Sequence, residues 1–203
     1  PIYKPASFEL LATPLSSDAA APAIEYDPEL YHLSTWRLLS ATLIEQNWLD
    51  FTHDNARALR EGFSLFEGVT VFVNHSRDVR EWIGRVAAAW WDEGNEQEGR
   101  LPGINAAYLL HREKANREGM LIEGLDMGAV SKTSASFLVD WIPSHPKMTF
   151  ERFVEKRGKK VGGELVRILP VKLTEAREAS IVWNGADSNA PRIPNGAPGA
   201  RVF

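Results

Sequence analysis

Gly128-Ala129-Val130-Ser131-Lys132-Thr133-Ser134-Ala135-Ser136-Phe137-Leu138-Val139-Asp140 is the stretch whose reading decides the rest. Three serines and a threonine fall within six residues and run straight into the apolar, β-prone segment Phe137-Leu138-Val139. A polar loop feeding a strand accounts for this order. Side chains alternate faces along a strand, so Ser134 and Ser136 share one side while Ala135 and Phe137 share the other. A hydroxyl on a rigid, half-buried strand is a well-held group. That matters for a nucleophile, because misplacing an attacking oxygen by about 1 Å can cost on the order of 100-fold in rate. Serine-rich loop-to-strand junctions are also common in ordinary sheets, so the remaining residues must decide between the two.

The bulk properties narrow the classes. A chain of 203 residues with 44% hydrophobic content suits one domain with a filled core. A net charge of -4 argues against a dedicated nucleic-acid binder, which concentrates basic residues on one face. With no cysteine, disulfides, thiolate catalysis and cysteine-ligated zinc are excluded. No apolar run approaches the roughly 18–20 residues of a helical membrane span.

Away from the serine stretch, helices and strands intermingle without a βαβ rhythm. Residues 1–30, with five prolines, read as an irregular arm with one short ordered piece at Ser7–Leu11. A strand is expected across roughly 35–45, then a helix over Ala56–Phe66 capped by Asp54 or Asn55. Val69–Val73 reads as a strand buried on both faces, running into Asn74-His75. Trp82–Asp92, with a bulge at Gly84, and Ile104–His111 read as strands able to form a hairpin. Glu113–Asp126 reads as a helix with a weak point at Gly119. A short helix over Phe150–Lys156 is capped at Thr149, and strands follow at Glu164–Leu169 and Ala176–Trp183. Residues 184–203 are rich in proline and glycine and read as a linker, leaving 31–183 as the ordered domain. The expected class is α+β, a mostly antiparallel β-barrel or sheet flanked by helices.

Most site chemistries lack their residues. There is no Gly-x-x-x-x-Gly-Lys phosphate loop, Gly-x-Gly-x-x-Gly turn, His-Glu-x-x-His zinc helix or Gly-x-Ser-x-Gly elbow. None of the five histidines pairs with another at metal-ligand spacing, and Asp50, His53 and Asp54 lack the glycine and distal glutamate of a calcium loop. No cofactor or metal is expected. What remains is a serine with a histidine base and an orienting carboxylate. His75 ends one core strand and Ser134 begins another, while Glu178 is a charged residue amid alanine and isoleucine in the expected late strand.

Three blocks resemble the prohead (head-maturation) proteases of tailed phages, which are similar to the herpesvirus assemblins. They are Val71-Phe72-Val73-Asn74-His75 with Trp82–Val86, then Gly128–Phe137, then Glu178-Ala179-Ser180-Ile181-Val182 with Gly185-Ala186-Asp187. The blocks follow the family's order, although Ser136 stands where the family usually has glycine. The resemblance implies an assemblin-like β-barrel ringed by helices. It implies a serine endopeptidase with Ser134 as nucleophile, His75 as general base and Glu178 stabilising the imidazolium. Its substrates would be scaffold and major capsid protein precursors, and the protein itself, inside the immature head in the host cytoplasm. Self-association into a homo-oligomer fits such co-assembly, and neither nucleic acid nor membrane is an expected partner. Ser136 and, further back, Ser131 stay open as rival nucleophiles. Asp140, Glu164 and His145 stay open for the third position, and Arg167 for oxyanion stabilisation. A histidine base must be neutral to accept a proton, so the rate should rise with pH as the imidazole deprotonates. The same fold without activity, as a head-assembly or scaffold-interacting domain, is the competing expectation.

Overall fold

The structure, a computed structural model, describes residues 3–12, 22–76, 78–117, 119–130 and 132–182. The expected linker at 184–203 and Ser131 lie outside the described residues. In chain order the elements are β1 (Tyr3–Ala12), β2 (Tyr31–Ser40), β3 (Leu43–Ile44), β4 (Leu49–Asp50), α1 (Arg57–Gly62), β5 (Thr70–Val73), β6 (Gly84–Asp92), β7 (Gly103–His111), α2 (Arg112–Asn116), α3 (Leu121–Asp126), β8 (Lys132–Pro143), α4 (Phe150–Lys156), β9 (Lys160–Val161), β10 (Glu164–Leu165) and β11 (Ile168–Val182).

Seven strands form one continuous path, β1-β8-β11-β5-β6-β7-β2, with β3 and β4 attached beside β11. The ladders are antiparallel except where β11 meets β4 and β5. The fold is mixed α+β, but the expected barrel does not close. No ladder joins β1 to β2, and the sheet is a curled half-barrel. The described helices are few and short, rather than a ring around the sheet.

The serine strand β8 sits between β1 and β11, paired on both edges. Its alternation separates two environments. Ala135, Phe137 and Val139 are fully buried in the core inside the curl, with Phe137 meeting the rings of Phe51 and Phe66 at 6.2 and 6.4 Å. Ser134 and Ser136 point to the other face. α1 closes the core from inside. At Gly62 an added Cβ would stand 2.7 Å from Leu173 Cβ, so only glycine lets this helix lie directly on β11.

Several elements differ from what the sequence predicts. Tyr3–Ala12 is a ten-residue strand rather than a short ordered piece. The expected helix 56–66 is a six-residue α-helix, α1, between two 3-10 turns, and Thr52 rather than Asp54 or Asn55 stands at the N-terminal boundary of the first of these turns. The helix 113–126 splits into α2 and α3, because Gly119 (φ 128°) and Met120 (φ 45°) leave helical backbone space. In β5 only Val71 is fully buried, not both faces. The β6–β7 ladder is irregular between Val86 and Ala88, not at Gly84. Gly84 has a different job: an added Cβ would stand 2.3 Å from Leu109 O, so it lets β7 approach.

Candidate active site

The site begins where β5 ends. Ser76 N–H donates to Val73 O at 3.2 Å, and the two central residues, Asn74 and His75, have φ of 50° and 57°. Positive φ at both central positions is the signature of a type I′ turn. Asparagine tolerates that region, whereas for a residue such as histidine it costs roughly 1–2 kcal/mol. Backbone of this kind persists only where neighbours hold it. Three hydrogen bonds do so, all to β11. Asn74 N–H reaches Ile181 O at 3.0 Å, His75 N–H reaches Ser180 Oγ at 3.3 Å, and His75 Nδ1 lies 2.5 Å from Glu178 Oε1. The turn therefore folds the imidazole back over the sheet, onto the face that carries Glu178 and Ser180.

Ser134 belongs to that same face. In the β8–β11 ladder Ser134 is opposite Ser180, and Ser136 is opposite Glu178. Directly opposed residues of an antiparallel pair project to one side, with Cβ atoms about 4.5–5.5 Å apart. Four polar side chains, Ser134, Ser136, Glu178 and Ser180, thus cluster beneath the His75 turn. Ser134 is 1% exposed and Ser180 is fully buried, while the His75 and Glu178 side chains keep 22% and 16% exposure. Ser134 Oγ has no hydrogen-bond partner among the described residues. Histidine and carboxylate are thus in contact, and the serine is one strand beyond them, unbonded to the imidazole in this state.

The alternatives fall elsewhere. Ser136 shares the face but is less buried than Ser134, next to Glu178. Asp140 is opposite Lys172, six residues and roughly 20 Å of extended strand beyond Ser134. His145 follows the far end of β8, with Nδ1 2.9 Å from Ser144 Oγ, and Glu164 sits in the separate β9–β10 hairpin. Neither meets His75. Arg167 is a correction to the sequence expectation: its Nε is 2.7 Å from Asp50 Oδ2, at the start of β11, where it serves no oxyanion at Ser134. Asp50 also accepts from Thr52 N–H and Oγ, and no cluster of three metal-ligating side chains occurs among the described residues.

A groove of about 260 Å³ borders the His75 turn, lined in part by Asn74 and Ser76 on either side of the histidine. Val73, Ile83 and Leu121 supply apolar walls, and Trp82 carries the Lys114 ammonium 4.0 Å above its ring. Sequence reasoning assigned no role to Asn74, Ser180 or this groove. Asn74 did carry a signal, since asparagine after a core strand suits a left-handed turn. The groove had none, because its walls come from β5, the segment before β6, α2 and α3.

No family model and no curated protein matches the sequence. Among solved structures, the fold matches that of the bacteriophage T4 capsid assembly protease. The TM-score is 0.51 at 12% identity, covering 90% of this chain and 99% of that one. At this identity the likeness is one of fold.

Proposed function

We propose that this chain is a serine endopeptidase that processes scaffold and capsid precursors, and itself, during maturation of a phage head. One observation carries the reading: a His75–Glu178 pair is held by a left-handed turn over the sheet face that presents Ser134. The likeness to a phage capsid assembly protease supports the head-processing role. Kinship with the herpesvirus assemblins, residence inside the immature head in the host cytoplasm and self-association belong to the same proposal.

In this mechanism Glu178 accepts from Nδ1–H, which leaves Nε2 unprotonated to receive the serine proton. Ser134 Oγ attacks the scissile carbonyl carbon as its proton passes to Nε2, and Glu178 stabilises the imidazolium. Collapse of the tetrahedral intermediate breaks the C–N bond, and Nε2–H protonates the departing amine. Water then hydrolyses the acyl-serine by the same proton route. The missing Ser134–His75 hydrogen bond fits a resting site, where catalytic bonds are often long and tighten with substrate. Because the imidazole serves the departing amine, the groove bordering the His75 turn would take the carboxyl-side half of the peptide.

The test is Ser134→Ala against wild type on a random peptide library, with products mapped by mass spectrometry. Wild type should cut and the variant should not, with the fold retained. Cleavage by Ser134→Ala would refute the assignment. The unbonded serine also favours a second reading, a head-assembly domain that has lost activity. Failure of a fluorophosphonate to label Ser134 would select it.

A further inference from the structure

Ser180 poses a hydrogen-bond question that the three-residue site does not answer. Its Oγ accepts from His75 N–H at 3.3 Å, yet the residue is fully buried. A buried hydroxyl whose oxygen accepts still has a proton to place, and leaving it unplaced is costly. Across the β8–β11 ladder stands Ser134, also buried, whose Oγ has no partner among the described residues. Two serines opposed in an antiparallel pair stand close enough for their hydroxyls to meet after a χ1 rotation.

We propose that Ser180 is a positioning residue of this site, fixing the base through its backbone and the nucleophile through its hydroxyl. Glu178 and Ser180, two apart on β11, clamp His75 together: one holds the ring at Nδ1, the other the amide of the same residue. The amide bond keeps His75 in its left-handed turn, and through it the imidazole keeps its place. The Ser180 proton donates toward Ser134 Oγ, which leaves the Ser134 proton directed at His75 Nε2. The order Ser180 to Ser134 to His75 to Glu178 satisfies each donor once. This inference rests on the protease reading.

The experiment compares wild type, Ser180→Ala, Ser180→Thr and Ser180→Cys on an internally quenched peptide taken from the sites that wild type cuts in the library. Loss of the hydroxyl in Ser180→Ala should lower kcat roughly 10- to 100-fold, because the base is misplaced. KM should stay within about twofold, as a positioning role for chemistry predicts. Ser180→Thr restores a hydroxyl and should recover most of kcat. If its methyl lowers Tm, Ser180→Cys decides instead: it keeps the side-chain shape but bonds poorly, so its kcat should fall with that of Ser180→Ala while Tm holds. Wild-type kcat in either Ser180→Ala or Ser180→Cys overturns the proposal. So does a loss confined to KM. A wild-type enzyme that cuts nothing would sink the protease reading itself, whereas cutting that is indifferent to Ser180 sinks this inference alone.

Discussion

At His75 the backbone carries a cost that the side chain's position repays. A φ of 57° disfavours most residues with a Cβ, and glycine escapes the cost altogether. The cost can be isolated by comparing two substitutions that both delete the imidazole. His75→Ala keeps the Cβ in the left-handed region, and His75→Gly removes it. Both should lose proteolysis, but His75→Gly should be the more stable by about 1 kcal/mol, read from urea denaturation. Equal stabilities would mean that the turn relaxes in the absence of the ring. The result bears on function, since strain retained at a reactive residue is a recurrent feature of sites that trade stability for activity.

On the strand β8, stability and chemistry occupy alternate residues, so they should separate cleanly on mutation. Phe137 is fully buried against Phe51 and Phe66, and Phe137→Ala should cost about 3–5 kcal/mol. Three residues away, Ser134→Ala removes a small hydroxyl that has no partner in the resting geometry, and it should lower Tm far less than Phe137→Ala does, by no more than the loss of one hydrogen bond from Ser180. Thermal melts of the two variants check both halves, and a drop in Tm for Ser134→Ala as large as that for Phe137→Ala would show that stability and chemistry are not separated along β8. This alternation was legible because β8 keeps it throughout, and α4 with its Thr149 cap was legible for the same local reason. β11 was not: three register irregularities interrupt its period, and Lys172, Glu175 and Arg177 break its apolar pattern, so one fifteen-residue strand reads as two pieces. Glu178, the proposed third residue of the site, was therefore marked by the block Glu178–Val182 of the resemblance rather than by a local pattern. Its contact with His75 depends on a turn that no local pattern specifies.

A second element-level device lies at the other end of the sheet. Asp92, closing β6, accepts from Arg37 Nη2 of β2, from Arg100 Nη1 at 2.7 and 2.8 Å and from Gly94 N–H at 2.9 Å. Burial pushes the Arg37 guanidinium down to about 10 in spite of Asp92's attraction, a sign of how thoroughly this charge is removed from water. Asp92→Ala would leave two buried arginines without their shared anion. It should cost about 3–5 kcal/mol, a large share of an ordinary domain's stability. Chemical denaturation measures it, and a loss under about 1 kcal/mol would mean that water or another acceptor already serves the pair.

At the scale of the whole molecule, fold and sequence have parted company. A chain 12% identical to the T4 protease keeps its architecture over 90% of its own length. The likeness is one of architecture, and in this chain that architecture brings the His75 turn, Glu178 and Ser134 to one face of the sheet. The sequence marked most of the strands and singled out His75, Ser134 and Glu178 as candidates, but not the open sheet, because closure depends on whether β1 and β2 pair, and edge pairing leaves no local signature. β1 was the hardest to read, being embedded in a proline-rich arm, yet its partner is the serine strand: Leu11 is opposite Ser134, and Leu10 is opposite Ala135. Without β1, the outer edge of β8 would offer unpaired N–H and C=O groups to other chains. Deleting residues 1–12 should then lower Tm, promote aggregation and reduce cleavage together, because Ser134 would be held from the β11 side alone. Light scattering during a thermal melt, with peptide cleavage measured on the surviving monomer, tests the coupling. If the monomer keeps full activity after the deletion, β11 and the His75 turn suffice to place the serine, and β1 serves only to cover an edge.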